Sequence, residues 1–256
     1  MIKLNLKFII EELIDTFFEA GKIAKEISKK GVKITTKADK SPVTDGDIAV
    51  DNILQTKIKT LTPDLPIISE ETVDLNIKNE SANFWLVDPI DGTRDYIKKG
   101  DEYTLNAGLI INLKPAAGII YAPAKNRLFF SYGKNLAFEI NNKKTIKLNC
   151  DKKNNDKVIG LENSGNTSQE ILNIYKKYKV SEMIKMSSSL KFCALAAGEA
   201  DIYAAQARAW EWDIAAGHAI LDHAGGLVST HEYKKFLYNK KNFKNLPIIA
   251  KRAEFL

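Results

Sequence analysis

The sequence predicts a layered α+β or α/β sandwich, with helices covering the faces of β-sheets, on three observations. The chain opens with a long amphipathic helix. Its middle is a run of strands joined by short turns. From about Val158 onward, strands and helices alternate.

Taken in order, Ile10, Leu13, Ile14, Phe17, Ala24 and Ile27 share one face at helical spacing between about Leu6 and Lys29, and Gly31 supplies a stop. Lys33 to Lys37 reads as a short strand, and Ser41-Pro42 as a break. A second helix is expected from about Asp45 to Lys59, closed by Thr62-Pro63. Pro66 to Ser69 reads as a short buried strand ending at Glu70-Glu71, and Phe84 to Val87 as the next one. Tyr103 to Ile111, Ala117 to Tyr121, Arg127 to Tyr132 and Ala137 to Ile140 form an expected antiparallel meander. The polar, Lys/Asn-rich stretch from Asn141 to Lys157 is the expected boundary between subdomains of residues 1–150 and 151–256. Val158 to Leu161, Met183 to Met186, Ile202 to Ala204 and segments near Leu227 and Ile248 follow as strands. Helices are expected from about Ser168, from about Leu190, and from Asp213 to Ala224.

The 256 residues are 45% hydrophobic, enough for a large buried core. Lys+Arg is 38 and Asp+Glu 32, so the net charge is +6. The excess is scattered lysine, with small clusters at Lys152-Lys153, Lys176-Lys177, Lys234-Lys235 and Lys240-Lys241. No basic face interleaved with aromatics accompanies it, so a solvated surface is expected rather than a nucleic-acid site. A mild positive field also suits a small anionic substrate. Cys150 and Cys193 are far apart and lack metal-ligand spacing, and His218, His223 and His231 form no zinc motif. No apolar run reaches the roughly 18 residues of a membrane span. The apolar start at Ile2 is interrupted by Glu11-Glu12 without a cleavage site. A cytoplasmic protein of bacterial type is expected, as a monomer or homodimer.

The chemistry concentrates in Trp85-Leu86-Val87-Asp88-Pro89-Ile90-Asp91-Gly92-Thr93. A strand ends in two carboxylates three residues apart, with Pro and Gly forcing an expected turn between and after them. Two such carboxylates repel each other unless a cation lies between them. Three other acidic segments share the same setting at strand ends or helix starts: Asp45 and Asp47, Glu70-Glu71, and Asp213. Alone, Asp213 reads as a helix cap and Glu70-Glu71 as a solvated strand end. Beside the Asp88–Asp91 pair they gain weight, because Mg²⁺ is held by a few carboxylates, a carbonyl and waters. Two metals about 3.5–4 Å apart suit in-line phosphoryl displacement. Asp47 and Thr93 are candidates to activate the attacking water. The Gly92 and Thr93 amides are candidates to hold phosphate oxygens.

Asp88-Pro89-Ile90-Asp91-Gly92-Thr93, preceded by Glu70-Glu71 and followed by Trp212-Asp213-Ile214-Ala215-Ala216-Gly217, resembles the inositol monophosphatase family of Mg²⁺-dependent, lithium-sensitive phosphatases. Lys37 to Thr44, Thr62 to Pro66, Tyr121-Ala122-Pro123 and Ser188 to Cys193 resemble its CysQ branch, the 3′(2′),5′-bisphosphate nucleotidases. The resemblance implies a five-layer αβαβα sandwich and two or three Mg²⁺ ions. It implies metal binding by Glu70, Asp88, Asp91, Asp213 and the Ile90 carbonyl, water activation by Asp47 and Thr93, and phosphate contact by Gly92 and Thr93. Ser189 and Lys191 would lie near the nucleotide, with Lys191 pairing a second phosphate. The implied reaction takes 3′-phosphoadenosine 5′-phosphate to AMP and phosphate, a clearance role in sulfur metabolism.

Four departures from the family pattern bear on the site. Asp45 adds a charge before Asp47, and Ser187 stands where Gly is usual. The expected Tyr-Pro-Arg is Tyr203-Ala204-Ala205, with Arg208 nearby as a substitute, and Leu161-Glu162-Asn163-Ser164 replaces a Ser-Arg-Ser-His-like stretch. The last two leave the phosphatase chemistry untouched and keep inositol monophosphate, fructose 1,6-bisphosphate and NADP open as substrates. A non-catalytic RNA-binding protein is the remaining alternative, resting on basic charge alone.

Overall fold

A computed structural model describes residues 4–37, 41–151 and 157–252. The Ala38-Asp39-Lys40 part of the nucleotidase-like segment and the Lys152-Lys153 cluster lie outside the described residues, as do residues 1–3.

Helices α1 (Leu6–Lys30) and α2 (Asp45–Leu61) flank a two-stranded ribbon of β1 (Ile34–Thr36) and β2 (Pro42–Thr44). A seven-stranded sheet follows, built from β3 (Ile67–Ser69), β4 (Phe84–Asp91), β5 (Thr104–Ile111), β6 (Lys114–Ala122), β7 (Arg127–Ser131), β8 (Ala137–Asn141) and β9 (Lys144–Lys147) in that spatial order. The short helix α3 (Thr93–Ile97) sits between β4 and β5. The second half supplies β10 (Ile159–Glu162), α4 (Gln169–Lys177), β11 (Glu182–Lys185), α5 (Leu190–Ala196), β12 (Ile202–Ala205), α6 (Trp212–His223), β13 (Leu227–Thr230) and β14 (Ile248–Lys251). Its five strands run in the order β11-β10-β12-β14-β13.

Packing gives five layers: α1 with α2, the seven-stranded sheet, α5 with α6, the five-stranded sheet, and α4. The first sheet is buried on both faces, so its central strands are continuous apolar runs rather than alternating ones. In β4, Trp85 and Val87 face α1 and α2, while Phe84 and Leu86 join the core between the two sheets. The α1 stripe holds, with Ile10, Leu13, Phe17 and Ala24 buried and Gly31 capping the helix at φ 98°. A third, smaller core of Ile171, Tyr175, Ile202, Ala204 and Ile249 lies under α4.

Helix α6 lies close on β5 and β6 because two glycines let it. A Cβ on Gly108 would stand 2.7 Å from the Ala215 Cβ, and one on Gly118 2.5 Å from the Ala216 carbonyl oxygen. This fit sets the height of α6, and therefore of its first turn, above the sheet.

Three sequence expectations are corrected. Pro42 to Thr44 is not only a break but a strand, pairing Pro42 with Thr36 and Thr44 with Ile34. The polar stretch after Asn141 contains β9, the sheet edge; all four of its residues are exposed, so no apolar alternation marks it. The chain does not turn at Asp88: β4 continues to Asp91, with a register shift against β5 between those residues. Pro89 has no N–H to give the ladder, and the break falls where the missing donor is tolerated.

Candidate functional site

The acids converge from three elements. Glu70 follows β3, with its N–H donating to the Val87 carbonyl at 3.1 Å. Asp88, Ile90 and Asp91 come from the irregular end of β4, and Asp213 from the first turn of α6. Carboxylate oxygens of Glu70, Asp88 and Asp213 all lie within 4.8 Å of one another. Asp88 is 2% exposed, and its Oδ1 is buried without a hydrogen-bond partner. Burial, then the charges of Glu70, Asp91 and Asp213, push the Asp88 carboxyl far above its usual range. Burial and then Asp91 and Glu70 do the same to Asp213. Asp91 is pushed up to about 6 by burial, against the pull of Lys191 and the Ser189 N–H. Clustered buried carboxylates with an orphaned oxygen form a donor set that a hard divalent cation would satisfy.

Asp47 is fixed by a helix cap. Thr44 donates to its Oδ2 from the backbone N–H (2.7 Å) and the hydroxyl (2.5 Å), closing a capping box at the start of α2. The other oxygen, Oδ1, lies 3.4 Å from the Thr93 hydroxyl, which also lies 3.1 Å from the Ile90 carbonyl. Burial raises the Asp47 carboxyl despite the Thr44 donors. Gly92, in the left-handed region at φ 91°, is the N-cap of α3 and turns the chain from Asp91 to Thr93. Asp45 points away from this group, accepting the Lys33 N–H at 3.0 Å.

Across the cleft, the Ser189 N–H donates to Asp91 Oδ2. The Ser189 hydroxyl is bonded into β5, 2.6 Å from Asn106 Oδ1 and 2.8 Å from the Thr104 hydroxyl. Lys191 is 4% exposed, which removes the surface-lysine reading. Its ammonium donates to the Ser188 carbonyl (2.6 Å) and the Met186 carbonyl (3.1 Å), and lies 5.1 Å from the Tyr203 ring centroid. Burial lowers it to about 8, with Asp91 opposing. Arg208 is exposed. It and Asn163 line three cavities at once: the acidic cleft of about 650 Å³, the Lys191 pocket of about 250 Å³ and a recess of about 70 Å³.

Three groups at the site escape the sequence reading. Lys37 pairs with Glu70 and Glu71 at 2.9 Å each, and burial pushes Glu71 up to about 7 even so. Trp210 lines the acidic cleft and donates its N–H to Asp213 Oδ2 at 2.8 Å. Glu211, fully buried, accepts from the Asn239 and Lys240 N–H groups and pairs with the Lys240 ammonium at 2.6 Å. The adjacent Trp212-Asp213 draws attention to the helix start, and nothing in the pattern marks the two residues before it.

Comparison with known proteins places these features. The profile of the inositol monophosphatase family matches residues 5–251. A 3′(2′),5′-bisphosphate nucleotidase CysQ of Buchnera aphidicola is 38% identical over 208 residues, covering 79% of this chain and 76% of that one. The CysQ nucleotidase of Escherichia coli K12 is 35% identical over 219 residues, covering 84% and 87%. The crystal structure of CysQ from Bacteroides thetaiotaomicron superposes with a TM-score of 0.77 at 27% identity, covering 95% and 96%. Among the described residues, no helix is long and apolar enough to cross a membrane. With its five layers and its cluster of Glu70, Asp88 and Asp213, the chain belongs to the inositol monophosphatase family, a family of metal-dependent enzymes.

Proposed function

We propose that this enzyme is a Mg²⁺-dependent phosphatase that removes the 3′-phosphate of 3′-phosphoadenosine 5′-phosphate, giving AMP and phosphate. One observation carries the reading: the acidic cleft opens onto a second pocket that contains a buried lysine, Lys191, and is bordered by Arg208. That is a place for one phosphate at the carboxylates and for another beyond them. The names of the CysQ relatives support the same substrate.

Glu70, Asp88, Asp91, Asp213 and the Ile90 carbonyl would hold two or three Mg²⁺ ions, and the unpartnered Asp88 Oδ1 fits that role. Bound Mg²⁺ supplies charge neutralisation and a more acidic water. The chain's own residues do the rest. Thr93, held between Asp47 and the Ile90 carbonyl, orients the attacking water, and Asp47, raised by burial, is matched to accept its proton. Gly92 and Thr93 amides bind oxygens of the scissile phosphate. The water oxygen bonds to phosphorus as the bond to the 3′-oxygen breaks, its proton passes to Asp47, and the departing 3′-oxygen takes a proton from a solvent water. Lys191 and Arg208 bind the 5′-phosphate, and Ser189 holds Asp91 in place through its N–H.

Phosphate release with Mg²⁺ from this nucleotide, measured beside inositol monophosphate, fructose 1,6-bisphosphate and NADP, tests the proposal. A clear preference for the bisphosphate nucleotide is expected. Preference for a sugar or inositol phosphate overturns the substrate. Undiminished hydrolysis in excess chelator, or in Asp91→Asn, overturns the metal mechanism.

A further inference from the structure

Among the described residues that line the acidic cleft, Trp210 is the single aromatic one. It is partly buried, and its indole stacks on Trp212 with ring centroids 5.1 Å apart and planes 10° from parallel. The ammonium of Lys244, an exposed residue, lies 5.2 Å from the Trp210 ring centroid. The backbone is fixed on both sides. The N–H donates to Asp213, the carbonyl accepts from the Asn245 side-chain amide, and the residue bridges antiparallel to Lys244. The next residue, Glu211, ties the 239–243 loop to the same point. The Trp210 backbone is therefore fixed one hydrogen bond from Asp213 of the acidic cluster, with the indole stacked on Trp212.

In the neighbouring pocket Phe192 and Tyr203 pack edge to face at 5.9 Å, and over Tyr203 stands Lys191, buried and fixed there by the Ser188 and Met186 carbonyls, whereas the lysine beside Trp210 is exposed. Lys191 and Arg208 make that pocket one for an anion. A flat apolar group on the same ligand has the Trp210 wall to lie against. Aromatic stacking tolerates any base because every base has a π-face, whereas a polyol or sugar phosphate has none to offer. Lys244, on a flexible stem, can swing aside or flank the stacked base.

We propose that Trp210 is the stacking platform for the heteroaromatic base of the substrate, and so a residue that selects nucleotides over other phosphate esters. This inference rests on the nucleotide reading above. The test compares kcat/KM for 3′-phosphoadenosine 5′-phosphate with kcat/KM for glycerol 2-phosphate in the parent, Trp210→Ala and Trp210→Phe. The ratio is expected to fall about tenfold or more in Trp210→Ala, within the usual range for base–aromatic stacking, and to be largely kept in Trp210→Phe. An unchanged ratio, or equal losses on both esters in both variants, overturns the proposal. If the parent itself shows no nucleotide preference, the function reading fails, and the indole is then judged by AMP alone. Saturable AMP binding by titration calorimetry, weakened about tenfold in Trp210→Ala and kept in Trp210→Phe, upholds stacking; binding that is absent from the parent or unaltered in Trp210→Ala overturns it.

Discussion

Replacing Asp88 by Asn should make the metal-free protein more stable, not less. The folded chain gathers Glu70, Asp88, Asp91 and Asp213 into a site where burial and mutual repulsion raise carboxyl proton affinity. A group whose folded pKa is raised contributes stability that is complete below its unfolded value and is lost as pH climbs through the folded one. Asp91, which titrates near 6 against 3.8 unfolded, sets the scale. Above pH 6 it costs the metal-free fold about 3 kcal/mol. Asp88 is raised for the same reasons, burial first and then Glu70, Asp91 and Asp213, so its penalty has the same sign. The amide introduced by Asp88→Asn removes one charge and can donate to the remaining carboxylates. In chelator at pH 8 the variant should melt above the parent, each kcal/mol of relieved repulsion raising the midpoint by about 2–4 °C for a chain of this size. Mg²⁺ at 100 times its Kd should stabilise the parent by about 2.7 kcal/mol and the variant far less. Thermal melting in chelator and across a Mg²⁺ series reads both effects. A variant that melts below the parent in chelator, or that gains as much from Mg²⁺, would refute the electrostatic account of the cluster.

Gly118→Ala should cost about 1–3 kcal/mol by overpacking, because its Cβ meets the Ala216 backbone oxygen, and α6 must lift with Asp213; a lower melting temperature and weaker Mg²⁺ binding are expected, and unchanged values would refute the fit. Glu211→Ala should cost about 3–5 kcal/mol, since it leaves two backbone N–H groups without their acceptor and takes the carboxylate from the Lys240 ammonium, which keeps the Leu237 carbonyl; denaturant titration checks it, and a loss below about 1 kcal/mol counts against the network. His218 and His223 are held neutral by burial, at about 3 and about 4, so their contribution is intact above pH 6.5 and falls as pH drops toward 4, by about 2 kcal/mol each at pH 5. The raised carboxylates pull the opposite way, so His223→Asn is compared with the parent in urea: the variant should lose less stability between pH 7 and pH 5, and equal losses would refute the assignment. Lithium in the millimolar range should inhibit phosphate release by taking one Mg²⁺ place in the cluster, and full activity there would contradict it.

The parts of the molecule that the sequence announces are those where burial forces a pattern. Helix α1 has to present Ile10, Leu13, Phe17 and Ala24 to β6, so the stripe is written every third or fourth residue. The central strands, buried on both faces, read as apolar runs. The acids are visible for the complementary reason, that carboxylates follow such runs in several segments at once, more than a helix cap or a strand end calls for. Signals fail where a strand is exposed or too short to show a period: β9 is exposed along its whole length, and β2, with Val43 and Thr44 buried, spans only three residues behind Ser41-Pro42. Long-range pairings are hidden for another reason. Lys37 with Glu70, and Glu211 with the 239–240 amides, are set by how distant loops meet, and neither segment alone carries a signal for the other.

Helix α6 explains why fold and site are hard to separate in this protein. With α5 it forms the middle layer, sharing the inter-sheet core with β4 and β5 on one side and β13 on the other. Its first turn carries Asp213 into a cluster whose other members, Glu70 and Asp88, hang from the opposing sheet. The distance among these oxygens is therefore the distance between a helix and a sheet, held at one end by Gly108 and Gly118 and at the other by the Glu211 loop anchor. Charge repulsion in the metal-free cluster pushes these layers apart, and the glycine fit and the core hold them together. A cation bound there would convert the repulsion into a cross-link between the two layers. Stability and metal affinity should thus move together in any variant that changes the seat of α6 while leaving every carboxylate in place. Gly118→Ala is that variant. Loss of Mg²⁺-dependent stabilisation with all acids intact would separate a geometric requirement of the site from a chemical one.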